Sequence, residues 1–509
     1  MTLDFTQDET GQYRTYVRNR FVDENTFLTM EREDAAPPKF AEVSDLLPRP
    51  TWAGHASAVE CYWKAWEIAF RNLRQPTAQS GFVANFIDSA FCDDLFMWDS
   101  AFILFFGRYG ERAFNFQRTL DNFYARQHPD GFICRQIREL DGRERFARFD
   151  IGGTGPNVLA WCEWDYSVNA GDRERLARVF PVLVAYHQWL RMYRSWPDGS
   201  YWSSGWDSGM DNQPRVPQGY HVYWSHGFTS WIDACVQQAL SGKMLLNMAE
   251  TLGRTNDIRD CQEEIERLSA YANEHMWDEA AAFYYDRFRD GGLSDVKTIG
   301  AYWALLAGVV PQERLGRFVA HLDNPEEFKR RHRVPSLSAD HPMYHPDGRA
   351  WLGAVWSPTN YMVLRGLTSV GLDGLAHEIA TNHVDSVVRV YEKTGTLWEN
   401  YAPDSTAPGQ SAKRDFVGWA GLPPIAVLFE YVFGLRPNVP KGRLVWDVRL
   451  LEEHGVSQYP FGEVGLLDVR CAARSTATER PRVKASSSVP VVLEVRWEGG
   501  RESIPLQPE

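Results

Sequence analysis

Between about residues 55 and 435 a helical pattern of apolar residues recurs twelve times, and the connections between these segments alternate in length. Apolar residues three and four positions apart predict each helix. The links after the even-numbered segments are short turns, whereas those after the odd-numbered segments are long loops. The predicted helices cover 56–73, 98–108, 111–127, 156–169, 172–194, 227–252, 256–276, 298–308, 311–322, 354–369, 373–392 and 416–434.

The alternation constrains how these helices can pack. Helices joined by tight turns must be antiparallel neighbours. Six such hairpins close naturally into an all-α (α/α)6 barrel, a six-hairpin toroid with every short turn at one end and every long loop at the other. A solenoid is the alternative, but no repeat of fixed period is visible in the sequence.

The composition changes on both sides of this region, which predicts three domains. Residues 1–50 are polar and are expected to form an irregular N-terminal arm with a strand or two, and residues 51–436 form the catalytic barrel. Residues 437–509 are predicted to form a small antiparallel β unit. Alternating, Val-rich segments predict its strands at 444–451, 464–470 and 489–498.

Charge and cysteine usage exclude several classes of function. A net charge of −13 argues against nucleic acid and against anionic membranes as partners. Seven scattered cysteines favour free thiols in a reducing cytoplasm, and neither they nor the thirteen histidines show metal-ligand spacing. No signal peptide or membrane span is visible. We expect a cytoplasmic protein with no metal and no cofactor; its oligomeric state is left open.

Two loops far apart in the sequence carry carboxylates beside aromatic residues. Asp207 and Asp211 lie in the loop 205–215, and Glu399 lies in the loop 397–404. In a six-hairpin ring both loops share one rim with the start of the second helix, so their carboxylates should converge. Cleavage of a glycosidic bond needs one carboxyl group to protonate the leaving oxygen and a second carboxylate to activate water or attack the sugar. Loop tryptophans beside acids suit the C–H faces of sugar rings.

Four stretches resemble glycoside hydrolase family 63, in the same order along the chain. They are Trp98-Asp-Ser-Ala-Phe, Asp207-Ser-Gly-Met-Asp-Asn-Gln-Pro-Arg, Trp356-Ser-Pro-Thr-Asn-Tyr and Trp398-Glu-Asn-Tyr-Ala-Pro. Within that family the chain is most similar to bacterial mannosylglycerate and glucosylglycerate hydrolases. The resemblance covers about residues 85–435 and implies an inverting α-glycosidase with an α/α barrel and no cofactor.

The same resemblance assigns roles to individual residues. Asp211 matches the general acid and Glu399 the general base, while Trp98 and Asp99 match residues that hold the sugar in the innermost subsite. Asp207 stands where relatives usually carry Glu. At Gly155 the chain departs from the family's usual Gln, which leaves the identity of the sugar and of the leaving group open.

Several residues near these loops have a structural and a functional interpretation. Asp207 could position the backbone or Arg215 instead of touching substrate, Asp99 could cap a helix, and Asp233 could make a structural hydrogen bond or serve the pocket. The candidate substrate-binding residues are Trp98, Asp99, Gln136 with its neighbour Arg135, Trp206, Asp207, Arg215, Trp356, Trp398 and Tyr401. The tryptophans among them could equally pack in the core.

The predicted function is hydrolysis of a small α-glucoside or α-mannoside, of the disaccharide or glycosylglycerate type. A six-hairpin sugar phosphorylase or epimerase is an alternative, although Glu399 argues against a phosphate site and the loops lack the paired histidines expected of an epimerase. A non-catalytic glycan-binding protein is the third possibility.

Overall fold

Helices dominate the middle of the chain in the computed structural model, which describes residues 3–7 and 13–508. The helices are α1 (Ala56–Arg71), α2 (Met97–Gly107), α3 (Asp121–Tyr124), α4 (Leu159–Ala170), α5 (Arg173–Tyr193), α6 (Ile232–Leu252), α7 (Asp260–His275), α8 (Trp303–Ala307), α9 (Gln312–Ala320), α10 (Ser357–Ser369), α11 (Asp373–Thr394) and a helix of wider turns at Leu422–Val432, here called the wide helix. A single helical turn, Phe40–Val43, precedes them. Each predicted helix thus has a helical counterpart.

The largest difference concerns the predicted helix 111–127. Only α3 is α-helical there, and it follows a 3-10 segment, Phe116–Leu120. Phe116 lies so close to Gly107 and Gly110 that an added β-carbon at either glycine would fall within 3 Å of its ring. The chain therefore turns tightly beneath α2 and does not extend a regular helix.

The short turns are built as the periodicity predicts. Gly171, Gly253 and Gly308 follow α4, α6 and α8 directly, with φ of 75°, 75° and 72°. This left-handed backbone conformation ends a helix abruptly and is accessible to glycine at little cost. The next helical segment begins within a few residues of each.

Six helices pack one on the next. Contacts link α2 to α4, α4 to α6, α6 to α8, α8 to α10, α10 to the wide helix and the wide helix back to α2. All eleven residues of α2 are buried, as expected of a helix that is apolar on every side. In α7, which packs on α6, only five of sixteen residues are buried, and the others are polar except for Ile265 and Ala270.

A buried ionic network ties four of these helices together. Arg108, just after α2, pairs with Glu430 of the wide helix (2.5 Å) and with Asp165 of α4. Arg365 of α10 donates to the same Asp165 (2.5 Å), and the Tyr361 hydroxyl donates to Glu430 (2.9 Å). Each buried charge therefore has an opposite charge or a hydrogen bond, which offsets the cost of its burial.

The strands are mostly short and peripheral. They are β1 (Leu3–Gln7), β2 (Tyr13–Val17), β3 (Arg49–Trp52), β4 (Leu73–Arg74), β5 (Phe86–Ile87), β6 (Asp94–Phe96), β7 (Gln136–Arg138), β8 (Trp277–Asp278), β9 (Phe283–Tyr284), β10 (Leu435–Asn438), β11 (Arg443–Asp447), β12 (His454–Phe461), β13 (Gly465–Cys471), β14 (Val483–Ser487), β15 (Val491–Trp497) and β16 (Gly500–Leu506).

The C-terminal strands form two four-stranded sheets, ordered β10-β11-β15-β16 and β14-β13-β12-β3. The three predicted strands correspond to β11, β13 and β15. The prediction of a purely antiparallel unit is wrong at one pair, because β11 and β15 run parallel. The intervening strands β12 to β14 supply the crossover that a parallel pair needs.

Strand β3 pairs with β12 and so joins the N-terminal segment to the C-terminal sheets. Among the described helices, none is both long and apolar enough to cross a membrane.

Candidate active site

Three carboxyl groups from separate parts of the chain act on one another electrostatically. Asp99 lies in the first turn of α2, Asp211 in the loop between α5 and α6, and Glu399 in the loop between α11 and the wide helix. In addition to burial, the charge of Asp211 raises the pKa of Glu399, and the charge of Glu399 raises the pKa of Asp99. The structure thus brings these three predicted residues together.

Burial is the main cause of the raised pKa of each carboxyl group. It raises the pKa of Asp211 to about 6 and that of Asp99 to about 7, although the positive charge of Arg135 opposes both shifts. Burial also raises the pKa of Glu399, and a hydrogen bond from the Lys413 backbone opposes that shift. Asp211 therefore keeps its proton up to a pH of about 6, and the hydrogen bond from the Lys413 backbone favours the ionised form of Glu399.

Arg135 is the cation that faces Asp99 and Asp211. Its side chain is 7% exposed, its Nη1 donates to the Trp206 carbonyl, and its guanidinium lies 5.6 Å from the centre of the Trp206 ring. Gln136 is the candidate predicted from the sequence in this segment, where Arg135 figures only as its neighbour.

Gln136, the candidate chosen from that segment, does not join the acids. Its Nε2 donates to Asp94 Oδ2 (2.6 Å), and Arg145 binds the same carboxylate. Gln136 begins β7, and successive residues of a strand point to opposite faces. The Gln136 Nε2 is thus held by Asp94, and its Oε1 has no hydrogen-bond partner among the described residues. Its assignment as a substrate ligand stays a prediction, whereas the charge of Arg135 acts on the acids directly.

Neighbouring side chains hold Asp211 in position. Asn212 accepts a hydrogen bond from the Trp351 backbone at Oδ1 (2.9 Å), and Gln213 donates to the Ser336 carbonyl (2.7 Å). Because both residues that follow Asp211 are fixed to the loop 323–356, the direction of the carboxyl group is constrained.

The loop 205–215, here called the acid loop, carries Asp211. Its first residues lie against residues 222–223, which belong to the same connection between α5 and α6. The Gly205 and Trp206 N–H groups donate to the carbonyls of Val222 and Tyr223, both at 3.1 Å. A β-carbon at position 205 would lie 2.2 Å from Val222 O and 2.4 Å from Asp211 O. Only glycine fits at this close approach of three backbone segments.

The loop of Glu399 is held by its own hydrogen bonds. The Lys413 N–H donates to Glu399 Oε2 (3.0 Å), and the Glu399 N–H donates to the Lys413 carbonyl (2.9 Å). The Trp419 indole donates to the Glu399 carbonyl (2.7 Å). A backbone donor to one carboxylate oxygen favours the ionised form of Glu399.

Asp207 ties two loops together. Its buried carboxylate accepts three hydrogen bonds, from Thr154 N (2.9 Å), Thr154 Oγ1 (2.8 Å) and Gly155 N (2.7 Å). Its acceptor sites are thus largely occupied by protein donors, so the structure favours the positioning interpretation over its assignment as a sugar ligand.

Arg215 does not reach the substrate side at all. Its side chain is 0% exposed, its three guanidinium nitrogens donate to Asp233 and Asp286 at 2.6 to 2.8 Å, and its guanidinium lies 4.3 Å from the Trp231 ring centre. The assignment of Arg215 to substrate binding is therefore wrong in this structure. Asp233 likewise has a structural partner.

The predicted tryptophans divide into two groups. Trp98 lies against the acid loop, because a β-carbon at Gly209 would be 3.5 Å from its ring, and Trp206 is partly exposed beside Arg135. Trp356 instead stacks on Trp351 with ring centres 4.1 Å apart and is buried. Trp206 remains a candidate for sugar contact because it is partly exposed. Trp98 and Trp356 are both 4% exposed, but Trp98 lies against the loop of Asp211, whereas Trp356 packs on Trp351 in the core.

The two aromatic residues around Glu399 support its loop. The Trp398 indole donates to Thr394 Oγ1 (3.0 Å), and Tyr401, which is 1% exposed, accepts a hydrogen bond from the Trp398 N–H (3.3 Å). The assignment of Tyr401 to substrate binding is therefore wrong here, since burial closes off its ring. Trp398 is half-buried and stays a candidate.

Gly155 is close to the acids as well. Its φ is +68°, and a β-carbon there would lie 3.4 Å from Arg135 Cβ and 3.7 Å from the Met97 methyl group. A side chain at this position would therefore contact Arg135, which the glycine leaves uncovered there.

Comparison with known proteins identifies the family of this chain. A family model described as the mannosylglycerate hydrolase MGH1-like glycoside hydrolase domain matches residues 94–417, more than half of the chain. The mannosylglycerate hydrolase of Thermus thermophilus is 26% identical over 359 residues, which cover 55% of this chain and 83% of that protein. An uncharacterized protein of Borreliella burgdorferi is 24% identical over 382 residues, which cover 72% of this chain and 77% of that protein.

Solved structures show the same relationship. The crystal structure of a GH63 mannosylglycerate hydrolase from Thermus thermophilus in complex with glucose is 26% identical, with a TM-score of 0.58, and covers 72% of this chain and 99% of that one. The structure of a GH78 rhamnosidase of a Bacillus species is 14% identical and has a TM-score of 0.60. The match covers 88% of this chain and 42% of that one and shows a shared fold. The chain therefore belongs to the MGH1-like glycoside hydrolase family, related to GH63, and is a glycoside hydrolase.

Proposed function

We propose that this protein is an inverting α-glycosidase that hydrolyses a small α-glucoside or α-mannoside, with Asp211 as general acid and Glu399 as general base. The observation that carries the proposal is the mutual arrangement of these two groups. They come from different loops, and the charge of Asp211 raises the pKa of Glu399. Burial raises the pKa of Asp211 to about 6, whereas a backbone hydrogen bond opposes the rise at Glu399.

In the proposed reaction Asp211, protonated, donates its proton to the glycosidic oxygen as the bond from that oxygen to the anomeric carbon breaks. Glu399, ionised, removes a proton from a water molecule, and the water oxygen bonds to the anomeric carbon from the opposite face. The products are the free sugar with inverted configuration and the protonated leaving group. A water molecule between base and sugar requires carboxyl groups roughly 6.5–9.5 Å apart.

Asp99, Trp98 and Arg135 are proposed to hold the sugar. The charge of Arg135 acts on both Asp99 and Asp211, and the charge of Glu399 acts on Asp99, so Asp99 and Arg135 lie near the acid pair and both can bind hydroxyl groups. Trp98 is 4% exposed and lies against the loop that carries Asp211, and an indole ring is suited to the C–H face of a pyranose.

We further propose that the packing of α2, α4, α6, α8, α10 and the wide helix forms the inner wall of an (α/α)6 barrel. Support comes from the closed cycle of contacts and from the complete burial of α2. The acids then lie at the end where the long loops meet.

Two classes of relative suggest the range of substrates. One relative is a mannosylglycerate hydrolase, and another, from Schizosaccharomyces pombe, is a probable mannosyl-oligosaccharide glucosidase that is 24% identical over 287 residues. This chain covers 34% of the latter. A small α-linked glucoside or mannoside is consistent with both.

The test is a hydrolysis screen against α-linked disaccharides and glycosylglycerates of glucose and mannose, with proton NMR of the first product. Release of the β-anomer from an α-substrate supports the proposal. Release of the α-anomer contradicts inversion, strict dependence on phosphate would indicate a phosphorylase, and binding without turnover would indicate a glycan-binding protein.

A further inference from the structure

Trp224 presents a flat, open ring next to the acid loop. Its side chain is 48% exposed, and its ring stacks on Trp206 with centres 5.1 Å apart and planes at 29°. Trp206 thus covers part of the indole, and about half of the Trp224 side chain remains open to solvent. This tryptophan has no part in the mechanism proposed above.

The backbone fixes Trp224 on the side of Asp211. The hydrogen bonds from Gly205 and Trp206 to Val222 and Tyr223 attach the segment that carries Trp224 to the acid loop. Burial raises the pKa of Tyr223, the residue before Trp224, and the charge of Asp211 adds to this shift. The stacked pair therefore lies on the side of the proposed general acid.

A glycine lets both indoles pack against a third loop. A β-carbon at Gly152 would lie 3.0 Å from the Trp206 ring, 3.2 Å from the Phe146 ring and 3.5 Å from the Trp224 ring. The two stacked rings are thus supported from the loop 147–155, which also contains Thr154, the partner of Asp207. The platform is built from three segments and does not depend on one exposed side chain.

The role of Asp211 as general acid determines which part of the substrate lies beside Trp224. A general acid protonates the leaving oxygen, so the leaving group occupies the side of the pocket at Asp211 while water occupies the side at Glu399. An exposed indole face suits the C–H face of a second pyranose, whereas a glycerate leaving group has no ring to stack on it.

We propose that Trp224 is a stacking platform for the leaving-group sugar and that the substrate is therefore an α-linked disaccharide or short oligosaccharide, not a glycosylglycerate. This inference rests on the proposed function. It makes Trp224 a specificity-determining residue and gives the open face of the Trp206–Trp224 pair an occupant.

One exposed cation offers a competing contact. The charge of Arg349 opposes the rise that burial causes in the pKa of Tyr223, so this guanidinium acts on the same side of the pocket. A carboxylate on the leaving group would use Arg349, whereas a neutral sugar would use Trp224. The two residues can be separated by experiment.

The experiment measures kcat/KM for three substrates of each sugar: an α-linked disaccharide, the glycosylglycerate and the α-glycosyl fluoride, whose leaving group has no ring. Trp224→Leu keeps an apolar side chain on Trp206 but removes the flat face. Loss of roughly 60 Å² of apolar contact corresponds to about a tenfold effect. We expect the ratio of kcat/KM for the disaccharide to that for the fluoride to fall about tenfold.

The matched control is Tyr220→Leu. Tyr220 is nearly as exposed as Trp224 and lies in the same connection, but its ring contacts Phe228 and not Trp206. The substrate ratio should not change in this variant. Arg349→Gln should likewise leave the ratio of disaccharide to fluoride unchanged.

Three results would overturn the proposal. Equal losses for disaccharide and fluoride in Trp224→Leu would mean that the stack only supports the acid loop. A wild-type preference for the glycosylglycerate that disappears in Arg349→Gln would show a charged leaving group. Absence of hydrolysis with all substrates, in a wild-type protein that is folded, would instead defeat the proposed function, and the platform with it.

Discussion

Arg135 lies close enough to Asp211 for its charge to hold the pKa of that carboxyl group below the value that burial alone would produce, which leaves it at about 6. The general acid must be protonated in the free enzyme, so kcat/KM should decline as the pH rises through about 6. The base must be ionised, so kcat/KM should also decline on the acid side, as the pH falls through the raised pKa of Glu399.

Replacement of Arg135 by Gln should therefore move the decline of kcat/KM on the alkaline side to higher pH. Without the cation the pKa of Asp211 rises, and the acid stays protonated to higher pH. The measurement is kcat/KM against pH for wild type and variant. Arg138→Gln, which removes a cation paired with Asp141 in the same segment, is the control and should leave the limb in place. An unshifted or lowered limb in Arg135→Gln would contradict the assigned acid.

Asp211→Asn and Glu399→Gln should each lower kcat by about 10²–10⁴-fold, the usual contribution of a positioned acid or base. Both substitutions keep the size of the side chain, so the midpoint of thermal unfolding should change little. Asp347→Asn, an exposed acid in one of the long loops, is the matched control and should keep full activity. Full activity of either active-site variant would remove that residue from the mechanism.

Features of the fold can be predicted from the sequence where the signal comes from residues close together in the chain. Turn glycines and helical periodicity are local, and they predict the helices and their short connections, such as the turn at Gly171. Asp211 and Glu399 are recognised because each stands in a distinctive loop. The fold then brings the two loops together.

The errors arise where distant segments decide the outcome. Arg215 stands four residues after Asp211 and invites a role at the substrate, but Asp233 and Asp286 from other segments bury it. Gln136 and Arg135 differ by one position, and the sequence does not show that Asp94 of β6 binds the Gln136 side chain while the charge of Arg135 acts on the acids.

Removal of Arg215 should lower the free energy of unfolding, because this residue has a structural role and does not bind substrate. Arg215→Met leaves Asp233 and Asp286 buried without their cation, which typically costs about 3–5 kcal/mol. Urea denaturation would measure this change. Arg480→Met, at an exposed pair with Glu502, is the comparison and should cost less than about 1 kcal/mol. Equal stability of the two variants would contradict the structural role.

Asp207→Asn should weaken the attachment of the loop 147–155 to the acid loop. The amide presents one oxygen in place of two, so one or two of the donors of Thr154 and Gly155 lose their acceptor, at about 1–3 kcal/mol for a buried unpaired group. Denaturation should show this loss of stability. Thr154→Val removes the hydroxyl, which donates to Asp207 and accepts a long hydrogen bond from Arg194 Nε (3.4 Å), but keeps both backbone donors, so its effect should be smaller. A larger effect in Thr154→Val would contradict the proposed anchor.

Gly205→Ala tests the close approach that positions the acid. The new β-carbon would fall 2.2 Å from Val222 O and 2.4 Å from Asp211 O, so the backbone must shift and carry Asp211 with it. Overpacking of this kind costs about 1–3 kcal/mol, and we expect kcat to fall as well because the carboxyl group moves away from the leaving oxygen. Gly316→Ala, in α9 with open space around the added carbon, is the matched control and should keep both stability and activity. Parallel thermal unfolding and kinetic measurements on the two variants decide the point: wild-type kcat in Gly205→Ala would show that the backbone at this position does not set the direction of Asp211.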